Sequence, residues 1–153
     1  MAFGQSKYDG KPAGEVLMLE PGNPGNQTPY TLIVPAGYVY LIKSIRLQLV
    51  ADANAANRNV FAAWATDAGV VFLRSVATFN HTAGLTRSYN FFGQPGPPIT
   101  ALGAGPGGSI EYHVSMPWIL VPPGWRFLMS CVNMQATDQL QNIKVIGEFW
   151  RTL

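Results

Sequence analysis

The segment IVPAGYVYLI at residues 33–42 decides the fold, because a short apolar run meets a Pro-X-Gly turn and a longer apolar run follows it. The segment LVPPGWRFLM at residues 120–129 matches it without a gap. In each copy a glycine, Gly37 or Gly124, supplies the positive φ that such a turn requires. Two explanations fit this match. Either all-β chains simply reuse such corners, or the segments are two pseudo-equivalent corners of one sandwich built from two Greek keys.

Short runs rich in Val, Ile, Leu, Thr and aromatic residues recur along the chain, bounded by Gly, Pro, Asn and Asp, which is the pattern of an all-β domain. We predict an antiparallel β-sandwich or jelly roll of about 8–10 strands with an extended N-terminal arm. The expected strands are residues 30–34, 38–50, 59–66, 70–79, 85–92, 109–115, 118–121, 125–133 and 142–151, with a further candidate at 15–20. Residues 67–69, Asp-Ala-Gly, predict a three-residue hairpin loop.

The long strands that follow the two corners begin with both faces apolar and end with one polar face. Alternation assigns one set of side chains to the core. This set is Leu41, Ile45, Leu47 and Leu49 in the first copy and Leu128, Val132 and Met134 in the second. The opposite faces begin with aromatic residues, which need a cover. A loop of the same chain, the N-terminal arm or another subunit could supply that cover.

Charged residues make up only 12% of the 153 residues, about half the typical share, whereas hydrophobic residues make up an ordinary 48%. Disorder requires low hydrophobicity with high net charge, and neither is present. The longest uninterrupted apolar run, residues 60–65, is far short of the roughly 20 residues of a transmembrane helix. The ten basic and eight acidic residues are dispersed without a Lys/Arg cluster. The composition therefore indicates one ordered domain with neither membrane nor nucleic acid as a partner.

Residues 1–29 are rich in glycine and proline and contain one short apolar run at 16–19. We predict that they form an arm, either loose or laid against something else such as a neighbouring subunit, and that residues 30–153 form the domain. Residues 93–109 are expected to be a long surface loop. The single cysteine, Cys131, excludes an internal disulfide framework, and no apolar segment follows the N-terminal residues. Both features predict synthesis in a reducing cytoplasm.

Residues able to carry catalysis are scarce. Glu111 and His113 lie two apart on a predicted strand, so they project from one face and could share a proton or a metal, but we favour a solvent-facing pair. His81 is expected in an exposed turn, and Cys131 is expected to be a buried thiol. The sequence contains no nucleophile elbow, phosphate loop or metal-ligand spacing. We therefore predict a protein that is not an enzyme and needs no metal or cofactor.

Aromatic residues, 12% of the chain, are the remaining candidates for function. We expect two or three of the four tryptophans to be core residues and Trp150 to point outward. Candidates for contacts with a second copy or a partner come from the arm, from the aromatic half-faces and from the last strand. They are Phe3, Tyr8, Leu17, Leu19, Tyr38, Tyr40, Trp125, Phe127 and Trp150.

The two corners and the polar loops that follow them resemble segments of small structural proteins from tailed-bacteriophage virions. The matching stretches are residues 33–37 through 45–47 with the loop ADANAANR at 51–58, and residues 120–126 leading to TDQLQN at 137–142. The resemblance covers residues 30–151 and rests on strand-corner patterns that do not distinguish head, neck or tail. It implies a β-sandwich or jelly roll without catalytic residues, whose surfaces do the work.

The function that this resemblance implies is that of a capsid decoration, or cement, protein on the virion surface, made in the host cytoplasm. Its expected partners are its own copies, as a homotrimer, and the major capsid protein. Low charge and abundant aromatics agree, because they describe a surface that partners cover. An alternative is a carbohydrate-binding or receptor-binding jelly-roll module of a tail or neck, with Trp64, Trp118 and Trp150 stacking on sugars. A third is a cupin-like metalloenzyme using His81, Glu111 and His113.

Overall fold

A computed structural model describes residues 14–93 and 111–152. The described residues form ten strands and contain no helix, and therefore none long and apolar enough to cross a membrane. The strands are β1 (Glu15–Leu19), β2 (Tyr30–Ile33), β3 (Tyr38–Val50), β4 (Val60–Ala65), β5 (Val71–Val76), β6 (Thr86–Phe92), β7 (Glu111–Ser115), β8 (Leu120–Val121), β9 (Arg126–Cys131) and β10 (Gln139–Arg151). Each coincides with a predicted strand, although β10 begins three residues earlier than expected.

The strands form two sheets with a shared apolar core. A six-stranded sheet has the order β1-β10-β3-β6-β7, with β8 also paired to β3, and a four-stranded sheet has the order β2-β9-β4-β5. All named pairings are antiparallel except the parallel pair β6 and β7. The prediction of an all-β, largely antiparallel sandwich is confirmed.

The two Pro-X-Gly corners occupy equivalent positions in this architecture. Each corner carries the chain from one sheet to the other, from β2 to β3 and from β8 to β9. The strands then pair reciprocally, β2 with β9 and β8 with β3. Gly37 and Gly124 have φ values of 81° and 79°. The backbone N–H of Gly124 donates to the Val34 carbonyl at 2.8 Å, and the N–H of Val34 donates to the Trp125 carbonyl at 3.0 Å. This reciprocity favours two pseudo-equivalent corners over chance reuse.

The predicted hairpin loop at residues 67–69 is confirmed. It joins β4 to β5, and Gly69 has a φ of 81°, the left-handed value that a three-residue loop places at this position. The N–H of Thr66 donates to the Val70 carbonyl at 3.0 Å, and the N–H of Gly69 donates to the Thr66 carbonyl at 2.9 Å. These bonds close the loop at the same end of the sandwich as the two corners.

A bulge in β3 changes which side chains of the first copy face the core. Ile42 pairs with Gly147 and Ser44 pairs with Ile146, so Lys43 is an extra residue without a partner in β10. An extra residue reverses the alternation of side chains beyond it. Apolar residues on the two sides of Lys43 therefore face the core although their spacing in sequence is odd.

The core face of β3 consequently combines both predicted faces. Its buried members are Tyr40, Ile42, Ile45, Leu47 and Leu49. The prediction is right for the last three and wrong for Leu41, which is buried but lies outside the main core cluster. The cover that the aromatic half requires is the opposite sheet of the same chain.

In β9 the core face is the one predicted to lie outside. Phe127, Met129 and Cys131 are buried in the core, whereas Leu128 and Val132 are only partly buried. Met134 packs against the core from the turn that follows the strand. Both faces of this strand are apolar in sequence, so alternation alone does not choose between them. The neighbouring strands choose, because Phe127 pairs with the core residue Trp64 in β4.

The described part of residues 1–29 belongs to the sandwich. Strand β1 pairs with β10, and Leu17 is buried in the core. Further along, the N–H of Gln27 donates to the Asp138 carbonyl at 2.7 Å. Residues 1–13, and most of the predicted loop at 93–109, lie outside the described residues.

Gly147 provides a test of the close contact between β10 and β3. A Cβ at this position would lie 2.1 Å from the carbonyl oxygen of Leu41, which is backbone and cannot turn aside. Gly147→Ala should lower the free energy of unfolding by about 1–3 kcal/mol. Gly22→Ala is the matched control, because nothing lies within 4 Å of its added Cβ. Urea unfolding midpoints measure both, and equal midpoints for the two variants would contradict this register of β3 and β10.

Candidate functional surfaces

A buried ion pair lies at the end of the sandwich opposite the corners. Arg58 and Asp138 are both fully buried, with Arg58 Nε 2.8 Å from Asp138 Oδ2. The carboxylate also accepts the N–H of Asp52 at 2.6 Å and the N–H of Gln135 at 2.7 Å. Arg58 Nη2 donates to the Asn54 carbonyl at 2.9 Å. The pair therefore fastens the loop after β3 to the loop between β9 and β10.

The electrostatics of this pair favour its charged form. Burial alone would raise the pKa of Asp138, but the hydrogen bonds from Arg58, Gln135 and Asp52 outweigh it and hold that pKa below its usual value. The Asp52 carboxylate extends the network, since it accepts the Thr137 hydroxyl at 2.6 Å. The pKa of Asp52 is also lowered, chiefly by that bond. These groups are engaged in joining loops and act as structural charges.

His81 is buried, which corrects the expectation of an exposed turn histidine. Its Nε2 lies 2.8 Å from the Leu85 carbonyl, so Nε2 carries the proton and donates it. Its Nδ1 then accepts the Tyr89 hydroxyl at 2.8 Å. The turn at residues 80–84 folds inward because both ring nitrogens find partners there. The imidazole is therefore a structural element of the loop.

An aromatic stack continues inward from His81. The His81 and Tyr89 rings stack at 5.9 Å, Tyr89 and Tyr112 at 5.1 Å, and Tyr112 and Phe79 at 5.0 Å. Burial raises the pKa of Tyr89, which therefore stays a neutral donor to the imidazole. Arg87 donates to the Tyr112 hydroxyl at the far side of the stack. The stack couples the loop before β6 to the parallel pair β6 and β7.

The other residues considered for catalysis are separated. Glu111 and His113 share one face of β7 as predicted, but Glu111 pairs with Arg46 at 3.6 Å, and His113 packs edge-on against Phe92. His81 stacks on the inward side of the same sheet. Within the two described ranges, no three His, Cys, Asp or Glu side chains gather to hold a metal ion. The residues of the cupin-like hypothesis are thus not brought into one site.

Cys131 is buried, as predicted. Burial raises the pKa of its thiol to about 12, and the nearby charge of Asp138 acts in the same direction. The thiol is therefore protonated at neutral pH and is a weak nucleophile.

A shallow cleft of about 500 Å³ lies over the loops beside His81. Its lining residues are Ala55, Ala56, Asn57, Asn80, His81, Thr82 and Ala83. The side-chain oxygen of Asn80 accepts the backbone N–H of Arg58 at 2.7 Å, so this polar group also supports the loop. Because the one titratable residue of the lining has both nitrogens engaged, the cleft presents no free acid or base.

The proposed contact residues divide into three groups. Leu17, Tyr40 and Phe127 are buried in the core of their own chain, so their side chains offer little surface to a second copy. Leu19, Tyr38 and Trp125 pack partly buried against the core, and Trp150 is also partly buried. Phe3 and Tyr8 lie outside the described residues. Tyr40 and Phe127 look uncovered in the sequence because the contacts between the two sheets are not visible there.

The tryptophans also differ from expectation. Trp64 is 1% exposed and packs edge-on against Phe127, so it cannot stack on a sugar. Trp118 is the most exposed at 46%, with the Lys43 ammonium 5.5 Å from its ring centre, whereas Trp150 was expected to point outward most. The three tryptophans of the carbohydrate hypothesis do not form one platform.

The surface that sequence reasoning missed is the outer face of the four-stranded sheet, the side turned away from the core. Sandwich strands normally alternate between core residues and polar outward residues. Here the outward set is mostly apolar, and its two arginines are the only charged members. The larger side chains of this outer face are Ile33, Phe61, Arg74, Val76, Arg126 and Leu128.

A second exposed apolar surface, the β1 edge, belongs to the six-stranded sheet. Val16 is 74% exposed and Met18 is 65% exposed, and Met18 pairs in register with the exposed Ile146 of β10. Glu20 follows the strand and pairs with Lys144 of β10 at 2.8 Å, whereas Glu15 alternates onto the same face as the core residue Leu17. The only sequence signal of the β1 edge is the alternation around the core residue Leu17, which places Val16 and Met18 outward.

The chain matches no protein-family model, no curated protein and no solved structure. The resemblance to virion proteins is therefore a prediction from strand-corner patterns.

Asp138→Asn tests the buried pair. The substitution removes a charge while Arg58 stays buried, so the free energy of unfolding should fall by about 3–5 kcal/mol. The matched control is Lys144→Ala, which breaks the Lys144–Glu20 pair. That pair has the same 2.8 Å separation, but both side chains are more than half exposed. Its loss should cost less than about 1 kcal/mol. Denaturant unfolding of both variants makes the comparison, and similar losses would argue against a structural role for the buried pair.

The buried imidazole of His81 predicts that the folded protein becomes less stable in acid. Burial lowers the pKa of His81 below 6.5, the hydrogen bond to Leu85 opposes this, and the charges of Arg87 and Arg58 lower it further. The unfolded chain therefore binds this proton more readily. The stability that His81 contributes is complete above about pH 6.5 and is lost as the pH falls through the folded-state pKa.

The measurement is the urea midpoint of wild type and His81→Gln between pH 7.5 and 5. The midpoint of the wild type is expected to fall further over this range than the midpoint of the variant. The amide can still accept from Tyr89 and donate to Leu85. Should the variant not fold, NMR titration of the wild-type imidazole decides directly, and a pKa at or above 6.5 would refute the prediction.

Proposed function

We propose that this chain is a non-enzymatic structural protein of a tailed-bacteriophage virion, a decoration protein that stabilises the capsid shell. In this proposal it is made in the host cytoplasm, assembles as a homo-oligomer, expected to be a trimer, and also contacts the major capsid protein on the capsid surface. The observation that carries the proposal is the apolar outer face of the four-stranded sheet. Large exposed apolar patches are typical of surfaces that a partner covers.

The strand order supports the jelly-roll part of this proposal. Apart from β7 and β8, the strands pair in a nested series: β1 with β10, β2 with β9, β3 with β6, and β4 with β5. Successive pairs alternate between the two sheets. This is the arrangement obtained when one long antiparallel hairpin is rolled into two sheets, and jelly rolls are common in viral capsid proteins.

The positions and contacts of the reactive residues support a role without catalysis. Arg58, Asp138 and His81 hold loops together, and Cys131 is a protonated core thiol. An active site instead requires titratable groups that face a substrate. The carbohydrate-binding alternative has weaker support, since Trp64 is buried.

Purified particles of the source virus test the proposal. Quantitative mass spectrometry should find this chain in a fixed copy number relative to the major capsid protein. Particles that lack it should release their DNA at a lower temperature in a dye-access thermal scan, and adding the purified protein back should restore the wild-type temperature. Absence of the chain from purified particles would refute the proposal.

A separate titration examines the alternative. Tryptophan fluorescence should stay constant when oligosaccharides are added to the purified protein, because the most exposed tryptophan, Trp118, stands apart from Trp64. A saturable change that Trp118→Ala abolishes would instead favour a sugar-binding module.

A further inference from the structure

Strand β5 is an edge of the four-stranded sheet, since it pairs with β4 and with no other described strand. Edge strands are normally protected by charged residues, prolines, bulges or short length. Strand β5 has no proline and one charged residue, Arg74, while Val71, Phe72 and Val76 are 42%, 47% and 39% exposed. Its bulge at Phe72 leaves residues 73–76 in regular pairing with β4. This regular stretch is therefore an edge that a further strand can join.

The backbone groups that point to the open edge belong to Arg74 and Val76. In an antiparallel pair, successive residues direct their N–H and C=O groups alternately toward the partner strand and away from it. The N–H of Ala77 donates to the Val60 carbonyl at 2.8 Å, so Ala77, and Ser75 two residues before it, bond to β4. Arg74 and Val76 therefore direct their N–H and C=O groups away from the sheet, where no other described strand receives them.

The side chains of the same two residues lie on the outer face. The guanidinium carbon of Arg74 is 4.4 Å from the ring centre of Phe61, and Phe61 pairs with Val76. Arg74 is exposed and has no ion-pair partner among the described residues. The outward side chains of this sheet include a second arginine, Arg126, and no carboxylate. A strand added to β5 therefore meets an apolar surface and an unpaired positive charge.

We propose that β5 binds an extended acidic segment of a partner protein as an additional antiparallel strand. The open backbone groups of Arg74 and Val76 form the main-chain hydrogen bonds of this contact. A carboxylate of the segment lies opposite Arg74, and an apolar side chain lies opposite Val76. The proposal rests on the proposed structural role, in which another protein of the particle supplies the segment, and it specifies the chemistry of that partner.

The charge of Arg74 favours such a segment over β5 of a second copy. Two β5 edges paired antiparallel in full overlap bring one Arg74 opposite or diagonal to the other, and like charges at these positions destabilise a pair of strands. Strand β5 has no carboxylate of its own that compensates. A segment that carries Asp or Glu at the same position gains an attraction instead.

Hydrogen exchange of single amides in the full-length chain, followed by NMR, tests the open edge. In the unbound protein, the amides of Arg74 and Val76 should exchange faster than those of Ser75 and Ala77, which bond to β4. Slow exchange of the Arg74 and Val76 amides would show an edge that the free protein already covers, and would overturn the proposal.

The binding probe is the peptide acetyl-Thr-Val-Thr-Glu-Thr-Val-Thr-amide, added up to about 1 mM. The amides of Arg74 and Val76 should become protected as it binds. A peptide in which Lys replaces Glu should bind at least about tenfold more weakly, because it places like charges together. Equal binding of the two peptides, or no binding of the acidic peptide at the highest concentration, would refute the contact.

Charge reversal in the protein supplies the matched comparison. Arg74→Glu should reverse the preference between the two peptides, because it changes the sign of the charge at the contact. Arg151→Glu is the control, since Arg151 is an exposed strand arginine in the six-stranded sheet, and it should leave the preference unchanged. A preference that survives Arg74→Glu would show that the peptide binds elsewhere.

Val76→Pro separates backbone pairing from side-chain packing. Proline lacks the N–H that points to the open edge, and edge strands tolerate it where that N–H faces solvent. The variant should lose peptide binding while urea unfolding shows that the sandwich is intact. Binding retained by the folded variant would contradict strand addition. Should the variant not fold, protection of the Val76 amide of the wild type by the acidic peptide decides the point.

The two proposals can fail separately. Failure of the acidic peptide to bind refutes strand addition and leaves the virion role standing if the chain is present in particles. Charge-dependent binding by a chain that is absent from particles supports strand addition and refutes the virion role.

Discussion

The sandwich depends on the reciprocal exchange of strands at its two corners. Strands β2 and β3 are joined by only four residues yet lie in different sheets, and the same is true of β8 and β9. So short a crossing requires a residue with positive φ, which Gly37 and Gly124 provide. Strand β2 enters the first corner and pairs with β9, which leaves the second. Strand β8 enters the second corner and pairs with β3, which leaves the first. The position of both sheets, and therefore of the whole core, follows from this arrangement.

The opposite end is held by side chains. Strand β3 starts at the corner and ends beside the network of Arg58 and Asp138, so it connects the two kinds of fastening. Backbone hydrogen bonds satisfy the corner, whereas the other end brings together loops that have no regular structure. A buried guanidinium can serve several carbonyls and a carboxylate at once, which suits it to joining such loops. Two of the few charged residues of this chain, Arg58 and Asp138, are therefore buried at this end and do not contribute to the surface.

Local patterns predicted the strands, the corners and the hairpin loop because each depends on residues close in sequence. Which face of β3 and of β9 is turned to the core was less predictable. The bulge at Lys43 depends on pairing with β10, about a hundred residues away, and both faces of β9 are apolar. The candidate surfaces were predicted least well. Arg58 and Asp138 are 80 residues apart without a shared motif. An outward Phe61 or Leu128 looks like a core residue until the neighbouring strands show which side is covered.

The nested pairing also governs when the fold can form. Strand β10 lies between β1 and β3 in the six-stranded sheet, although it follows the nine other described strands in sequence. On a ribosome, β1 and β3 must wait for it with their apolar sides uncovered. Folds rich in such long-range contacts form slowly, since a large loop must close before any pairing energy is gained. A growing chain of this design therefore keeps apolar surface and unpaired strand edges exposed until β10 emerges, the condition in which aggregation competes with folding.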